Sequence, residues 1–206
     1  MVSTTHLGDC PEKTSRIIEV AQKRFGLYGF EKTTMNEIAS DLNMSKGSLY
    51  YYFPDKEHIY MAVVQKEHDL FVQLVNEKIA LLSDPSQMLR EYISVRLSYF
   101  RMLLNLSRFR HDNAREVHSM MHEQWIVFRA QEQDLITGIL NVGIEKELFE
   151  IENTNEISVL LLDIIKSLSI SLVKKKDIFY LEANEYDELT RKINLFIEMF
   201  IKSLKK

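Results

Sequence analysis

Residues 30–56 read FEKTTMNEIASDLNMSKGSLYYYFPDK, and this stretch predicts two short helices joined by a tight turn. Thr34 and Glu37 form a T-x-x-E capping box, in which a hydroxyl and a carboxylate satisfy free backbone donors at a helix start. Asn43 tolerates a left-handed backbone, so it is expected to end the first helix. Ser45 is the predicted N-cap of the second helix. Helix, short turn and helix are the layout of a helix-turn-helix, whose second helix enters the DNA major groove.

The second helix, which Pro54 stops, carries serine hydroxyls, a lysine, a glycine and three consecutive tyrosines. Successive residues of a helix are about 100° apart, so three tyrosines in a row cannot share one face and at least one should be exposed. Exposed phenols, hydroxyls and a cation near a helix N-terminus suit contacts to phosphates and base edges. The alternative interpretation is a small surface helix with ordinary aromatic packing.

The first quarter of the chain resembles the DNA-binding domain of the TetR family of bacterial transcriptional repressors. The matching residues are Ala21, Phe25, Gly29, Phe30, Thr33, Thr34, Ile38, Ala39, Ser45, Gly47, Ser48, Tyr50, Tyr52, Phe53, Lys56 and Glu57. Leu42, Asn43 and Met44 stand where the family often has Ala-Gly-Val, and Asn in place of Gly keeps the turn feasible. The resemblance implies a ligand-responsive repressor that binds a double-stranded operator as a homodimer.

The family motif and the placement of hydroxyls and cations together predict the residues that contact DNA. Those expected to face the groove or its phosphates are Ser45, Lys46, Gly47, Ser48, Tyr50, Tyr51 and Tyr52. Thr33 and Lys56 are expected to touch the DNA backbone at the edges, and Thr34 is the remaining candidate. The bases of this region sit on or beside the second helix while the net charge of the chain is −4, so a narrow DNA footprint is expected.

Composition is typical of a globular protein of one or two domains, because 46% of the 206 residues are hydrophobic and 27% are charged. The 6 glycines and 3 prolines are few, which favours long helices. Cys10 is the single cysteine, so no internal disulfide or cysteine metal cluster forms and a reducing compartment is indicated. The N-terminus lacks the pattern of a signal peptide, and no apolar run is long enough to span a membrane. A cytoplasmic location is therefore expected.

The fold predicted is all-α with about nine helices, because no segment alternates convincingly as a strand does. Residues 1–10 are expected to be a disordered tail, 11–57 a three-helix helix-turn-helix domain, and 58–206 a larger ligand-binding and dimerisation domain. A long helix capped by Asp55 extends toward Ser83, about 25 residues or ~40 Å. This helix is expected to bridge the two domains and to move the second helix of the motif when its far end tilts.

The middle of the chain is rich in methionine and aromatic side chains, which adapt to irregular space and line apolar pockets between helices. The TetR resemblance implies a small effector in this region. The predicted ligand-binding residues are Phe71, Tyr99, Phe100, Met121, Trp125 and Phe128. A mostly apolar lining predicts a lipophilic effector, such as an acyl chain or an aromatic molecule, with Tyr and His supplying the few polar contacts. The alternative is an ordinary packed core and constitutive DNA binding.

The last two long helices each carry more apolar surface than one packing partner can cover. Two copies paired across a two-fold axis would form a four-helix bundle, an arrangement for which TetR-like proteins are known. An obligate interface of about 2,000 Å² or more is expected. The predicted dimerisation residues are Leu161, Ile165, Leu168, Leu172, Ile193, Phe196 and Phe200.

No enzyme motif of the G-x-S-x-G, P-loop or H-E-x-x-H type occurs, so no catalytic residue, cofactor or metal is predicted. One alternative remains, an all-α metal-dependent enzyme that uses His118 and His122. These residues are four apart on one helix face, with Asp112, Glu116 and Glu123 near them in sequence, whereas His111 is too far along the axis for the same ion. A second alternative is a helical adaptor that binds only protein.

Overall fold

The computed structural model describes residues 10–107, 119, 121–173 and 182–206, and this part of the chain is built from eight helices. They are α1 (Cys10–Tyr28), α2 (Met35–Asp41), α3 (Lys46–Tyr52), α4 (Lys56–Ile79), α5 (Pro85–Ser107), α6 (His122–Glu145), α7 (Thr154–Val173) and α8 (Ala183–Leu204). The described residues contain no β-strand, only an isolated bridge between Phe149 and Lys205. The all-α prediction is confirmed. The predicted tail falls mostly outside the described residues, as does most of the predicted short helix at 115–121.

The first helices begin and end where their own residues dictate. Thr34 and Glu37 form the predicted capping box at the start of α2. Asn43 adopts the left-handed conformation with φ of 53° in the turn before α3. Ser45 and Asp55 accept hydrogen bonds at the starts of α3 and α4, as their sequence context predicted.

The buried side chains form two clusters. The N-terminal core is built from α1, α2, α3 and the first half of α4, together with Met121 and Phe128. The C-terminal core is built from the second half of α4 with α5, α6, α7 and α8. Its members include Phe71 and Val75, which lie on the same helix as Ile59 of the N-terminal core.

Helix α4 therefore belongs to both cores, and this places a single rigid element between the helix-turn-helix and the rest of the chain. The first half of α4 supplies Ile59, Tyr60, Val63 and Val64 to the N-terminal core. The predicted domain boundary after residue 57 would assign these four residues to the C-terminal domain, although they pack in the N-terminal core. The boundary itself stays a prediction. Among the described residues, no helix is long and apolar enough to cross a membrane.

Candidate nucleic-acid interface and effector site

Helix α3 presents a polar outer surface and a buried anchor. Leu49 is fully buried in the N-terminal core and holds the helix in place. The exposed residues around it are Ser45, Lys46, Gly47, Ser48, Tyr50 and Tyr51, which we call the α3 surface. Ser45 accepts a hydrogen bond from the Ser48 backbone N–H at 3.1 Å, and the two hydroxyls are 2.8 Å apart. This cap fixes the first turn, so the hydroxyls and the lysine are held at the exposed end of a rigid helix.

Gly47 lies in the first turn of α3, yet no described residue lies close enough to require a glycine there. A Cβ atom at this position would meet only the Ser45 hydroxyl, at 3.9 Å, which is an ordinary van der Waals distance. A glycine in a helix costs about 0.5–1 kcal/mol relative to alanine. A glycine that destabilises its helix and relieves no internal contact is best explained by close approach of something outside the chain.

The three tyrosines divide as the helix geometry predicted. Tyr51 is 81% exposed and Tyr50 is 42% exposed. Tyr52 is half-buried against the N-terminal core, and its ring contacts that of Tyr51 edge-on at 5.3 Å. The ammonium group of Lys46 lies 5.6 Å from the centre of the Tyr50 ring. Tyr50 and Tyr51 are therefore free to project from the protein, while Tyr52 positions its neighbour.

The acids of α2 are compensated by a cation from α1. Arg24 lies 2.5 Å from Asp41 and 3.3 Å from Glu37. The hydrogen bond from Arg24 lowers the pKa of Asp41, and the hydrogen bonds of Thr34 lower the pKa of Glu37. Both carboxylates thus stay ionised while their charges are balanced locally, which reduces their repulsion of an approaching phosphate backbone.

Two predicted backbone contacts have other roles in the structure. Thr33 is fully buried and its hydroxyl donates to the Gly29 carbonyl at 2.9 Å, so the expectation of a DNA contact from this side chain is corrected. Lys56 donates to the Phe30 carbonyl at 3.0 Å and lies 4.1 Å from the centre of the Phe30 ring. Burial lowers the pKa of Lys56. A DNA contact from Lys56 stays a prediction, as does one from the exposed Thr34.

Sequence reasoning missed two basic residues beside the α3 surface. Lys13 and Arg16 of α1 are exposed and line the same open depression as Ser45, Ser48 and Tyr51. They are distant from α3 in sequence, so only the packing of α1 across the motif brings them there. With Lys46 they give this face three cations, which is the electrostatic character a phosphate backbone requires.

The predicted effector residues lie at the junction of the two cores, and four of the six belong to one aromatic cluster. Phe71 stacks on Tyr99 with ring centres 4.8 Å apart, and Trp125 meets Phe128 edge-on at 5.5 Å. Met121 is fully buried in the N-terminal core beside α6. Phe100 is half-buried against the C-terminal core, one position along from Tyr99 and so on another face of α5.

The cluster is joined by His68, which sequence reasoning missed. Its ring stacks on Phe128 at 3.8 Å and lies 5.7 Å from Phe71 and 5.8 Å from Tyr99. His68 is fully buried, and burial lowers its pKa, so the imidazole is neutral at pH 7. It stands between Glu67 and Asp69 in sequence, a polar context that gives no sign of burial. We call His68, Phe71, Tyr99, Trp125 and Phe128 the aromatic cluster.

A buried polar network lies next to the aromatic cluster. The Glu132 carboxylate accepts hydrogen bonds from the Tyr92 hydroxyl at 2.9 Å and from Arg96 Nε at 2.6 Å. Gln131, the preceding residue on α6, is hydrogen-bonded to His68 Nε2 at 2.9 Å. These hydrogen bonds connect α4, α5 and α6. A ligand that separates the three helices would therefore have to break the bonds.

Comparison with known proteins places these features in a family. The profile described as bacterial regulatory proteins, tetR family, matches residues 17–63, which cover most of α1, all of α2 and α3 and the first turns of α4. A crystal structure of a transcriptional regulator from Cytophaga hutchinsonii is 36% identical, with 94% of this chain and 99% of that one covered and a TM-score of 0.87.

This chain belongs to the TetR family.

Two further comparisons cover different lengths of the chain. HTH-type transcriptional regulators of Staphylococcus aureus are 39% identical over 64 residues, which is 31% of this chain and 35% of theirs. The match thus spans about a third of the length of these curated relatives. A putative TetR-family regulator from Mesorhizobium loti is 20% identical, with 96% of this chain and 99% of that one covered and a TM-score of 0.71, which shows a shared fold.

The dimerisation residues proposed from the TetR resemblance divide between the inside and the outside of the protomer. Four of them are buried in the C-terminal core and offer little or no surface to a partner: Leu161, Ile165, Ile193 and Phe200. Leu168 and Phe196 are half-buried at its edge, and the side chain of Leu172 lies outside the described residues. Periodicity identifies apolar positions but does not tell which side of a helix faces its own protomer, so the dimer contact of all seven residues stays a prediction.

The apolar residues that remain exposed on the last two helices are different ones. Leu160 of α7 is 48% exposed, and Leu195 and Met199 of α8 are 58% and 65% exposed. Together with the half-buried Leu168 and Phe196 they form what we call the outer face of α7 and α8. Within the protomer α7 packs against α8, so this face belongs to a two-helix layer.

The metal-site alternative falls mainly outside the part of the chain that the structure describes. His111, Asp112, Glu116 and His118 are not among the described residues, while His122 opens α6 with an exposed side chain. Within the described ranges, no group of three or more His, Cys, Asp or Glu side chains is placed to hold a metal ion.

Proposed function

We propose that this TetR-family protein is a repressor that binds a DNA operator as a homodimer and releases it when a small lipophilic effector binds. The observation that carries the proposal is the α3 surface, a rigidly capped helix whose exposed end offers hydroxyls, phenols and a cation. Gly47 adds support, because no described residue occupies or needs the space that a side chain there would fill.

The proposed interface is broader than α3 alone. Lys46 and the exposed Tyr50 and Tyr51 meet the groove, while Lys13 and Arg16 contact phosphates from the neighbouring helix. Contacts to phosphates set the position of the protein, and contacts to base edges supply sequence preference. Three cations suit a compact operator half-site rather than extensive nonspecific binding.

Helix α4 is the proposed route from effector to DNA. Its second half carries His68 and Phe71 of the aromatic cluster, and its first half is packed in the N-terminal core. The Gln22 side chain of α1 donates a hydrogen bond to Glu67 of α4, so a tilt of α4 acts on α1 through this contact as well as through their shared core. An effector that favours a tilted α4 by about 1–3 kcal/mol weakens operator binding roughly 5–150-fold.

Dimerisation through the outer face of α7 and α8 completes the proposal. Two half-sites of a helix-turn-helix operator lie about 34–36 Å apart, so the two α3 helices must be held at that spacing. The exposed leucines and Met199 supply an apolar surface of the kind that a two-fold helix pair buries.

The first test is selection of bound fragments from random DNA with the purified protein, followed by affinity measurements at several salt concentrations. Lys46→Ala should weaken binding to the selected site and reduce the log–log salt slope by about 0.9 if one phosphate contact is lost. Lys202→Ala, an exposed lysine near the end of α8, is the control and should change neither quantity. A protein-binding adaptor would retain no selected sequence at any salt, and that result would remove the proposal.

Gly47→Ala separates DNA binding from folding. The variant should be as stable as the unmodified protein or more so, because alanine favours the helix by about 0.5–1 kcal/mol and meets no internal atom closely. Its operator affinity should fall, since the added methyl group occupies space at the interface. Thermal unfolding and fluorescence anisotropy with labelled operator give the two quantities. Unchanged affinity would show that DNA does not approach Gly47 closely.

A further inference from the structure

Two polar atoms in the aromatic cluster are buried without a hydrogen-bond partner among the described residues. They are Nδ1 of His68 and the hydroxyl oxygen of Tyr99. The side chains are 0% and 6% exposed, and their ring centres are 5.8 Å apart. Buried polar atoms nearly always have a hydrogen-bond partner in native proteins. Two neighbouring atoms without one therefore point to a missing partner.

The protonation of each group defines what that partner must offer. Nε2 of His68 is 2.9 Å from the side-chain oxygen of Gln131, and an oxygen there accepts, so Nε2 carries the proton. Nδ1 is then a bare acceptor. Burial raises the pKa of Tyr99 far above neutrality, so its phenol remains protonated and can donate or accept. A partner for both must donate a hydrogen bond to His68 Nδ1, and a hydroxyl group can do this while its oxygen accepts from the Tyr99 phenol.

The charges around the pair disfavour an anionic partner. Arg96 lies near the Tyr99 ring, at 5.9 Å, but its Nε is already bonded to the Glu132 carboxylate. Glu132 also accepts from Tyr92, and Glu67 adjoins His68 in sequence. A bound carboxylate would meet two glutamates and one arginine that is already paired. The neighbourhood therefore disfavours an anion, and a neutral hydroxyl group is compatible with it.

The rest of the site is made of flat apolar rings. Phe128 stacks on His68 at 3.8 Å and Phe71 stacks on Tyr99 at 4.8 Å, both with small angles between the ring planes. An aromatic ligand can stack on such rings with the same geometry as these rings use among themselves.

We propose that His68 and Tyr99 bind the hydroxyl group of a neutral aromatic alcohol or phenol, which donates to His68 Nδ1 and accepts from the Tyr99 hydroxyl. This assignment rests on the effector site of the proposed function and narrows its ligand from any lipophilic compound to one bearing a hydroxyl. The aromatic rings of Phe71 and Phe128 hold the apolar body.

The first part of the test needs no ligand. Tyr99→Phe should leave the melting temperature unchanged or raise it, because it removes a hydroxyl that has no hydrogen-bond partner among the described residues. Tyr92→Phe, a buried tyrosine of the same helix whose hydroxyl donates to Glu132, is the matched control and should lower the melting temperature. A Tyr99→Phe protein that loses as much as Tyr92→Phe would show that the Tyr99 hydroxyl is already bonded, and would overturn the proposal.

The second part uses three probes that share a ring and a propyl group: 4-propylphenol, 4-propylanisole and 4-propylbenzoate. Isothermal titration calorimetry on the full-length protein should show 4-propylphenol binding about fivefold or more tightly than the other two, since each lacks the donated hydrogen bond. Tyr99→Phe should weaken the binding of 4-propylphenol, because the ligand oxygen loses the hydrogen bond that it accepts. Equal affinities of the three probes, no binding of any probe, or an unchanged affinity of Tyr99→Phe for 4-propylphenol would each overturn the proposal.

Operator binding is measured on the same samples, which separates the two hypotheses. A protein that binds its selected operator but shows no preference for 4-propylphenol refutes the hydroxyl site and leaves the repressor proposal intact. A protein that prefers 4-propylphenol but retains no selected DNA supports the hydroxyl site and refutes the repressor proposal.

Discussion

At the scale of single residues, Glu67 is a carboxylate whose burial disfavours its charged form. It is 8% exposed on α4, and burial raises its pKa above the ordinary 4.5. Because the folded pKa is raised, the stabilising effect of protonation is complete below about pH 4.5 and is lost as pH rises through the folded pKa. Ionised Glu67 therefore destabilises the fold at neutral pH. Glu67→Gln should increase the free energy of unfolding at pH 7, and this gain should shrink as pH falls toward 5.

The matched control for that substitution is Glu77 on the same helix. It also accepts a hydrogen bond from a glutamine, Gln73, at 2.7 Å, but it is exposed. Glu77→Gln should change stability little at any pH, because no burial penalty is relieved. Urea unfolding curves between pH 5 and pH 8 compare the two variants. If both shift stability equally, or if the gain from Glu67→Gln does not depend on pH, burial is not the cause.

At the scale of elements, α6 contains two glycines with opposite roles. A Cβ atom at Gly143 would overlap the ring of Phe149, whereas one at Gly138 would meet nothing within 4 Å. Gly143→Ala should destabilise the protein by about 1–3 kcal/mol through overpacking. Gly138→Ala should stabilise it by about 0.5–1 kcal/mol through helix propensity. Denaturant midpoints of the two variants test this, and a stable Gly143→Ala protein would mean that Phe149 moves aside without cost.

At the scale of the whole molecule, the outer face of α7 and α8 should decide oligomeric state. Replacing Leu195 and Met199 by glutamate should give a folded monomer, since both side chains are exposed in the protomer and neither supports its core. Operator affinity should fall with dimerisation, because two half-sites are then read by separate molecules. Sedimentation equilibrium at micromolar concentration gives the mass. Leu81→Glu, at an 85% exposed site elsewhere, is the control. An unmodified protein that is already monomeric would refute the proposed dimer.

Sequence predicted the features that depend on neighbours along the chain. The capping box at Thr34, the left-handed Asn43 and the cap at Ser45 are local events, and the structure confirms them. The sequence did not predict features that depend on contacts between residues far apart in the chain. The burial of Thr33 and His68 depends on which helices cover them, and nothing in their own context reveals it.

The same limit applies to helix faces. Ile193 and Leu195 are both apolar residues of α8, yet the first is buried and the second is 58% exposed. Arg16 reaches the α3 surface only because α1 crosses the motif. Hydrophobic periodicity indicates that a helix is amphipathic, while the partner of each face is set by the arrangement of all the helices.

The sharing of α4 between the two cores determines where this protein can be recombined with a relative. A chimera joined at residue 57 would take everything after that residue from the relative, including the positions of Ile59 and Val63. The N-terminal core would then lose two of its own side chains. A junction between Val64 and Phe71 leaves each core with its own side chains. Helical phase must also be kept there, because one added residue turns the rest of the helix by 100° and lengthens it by about 1.5 Å.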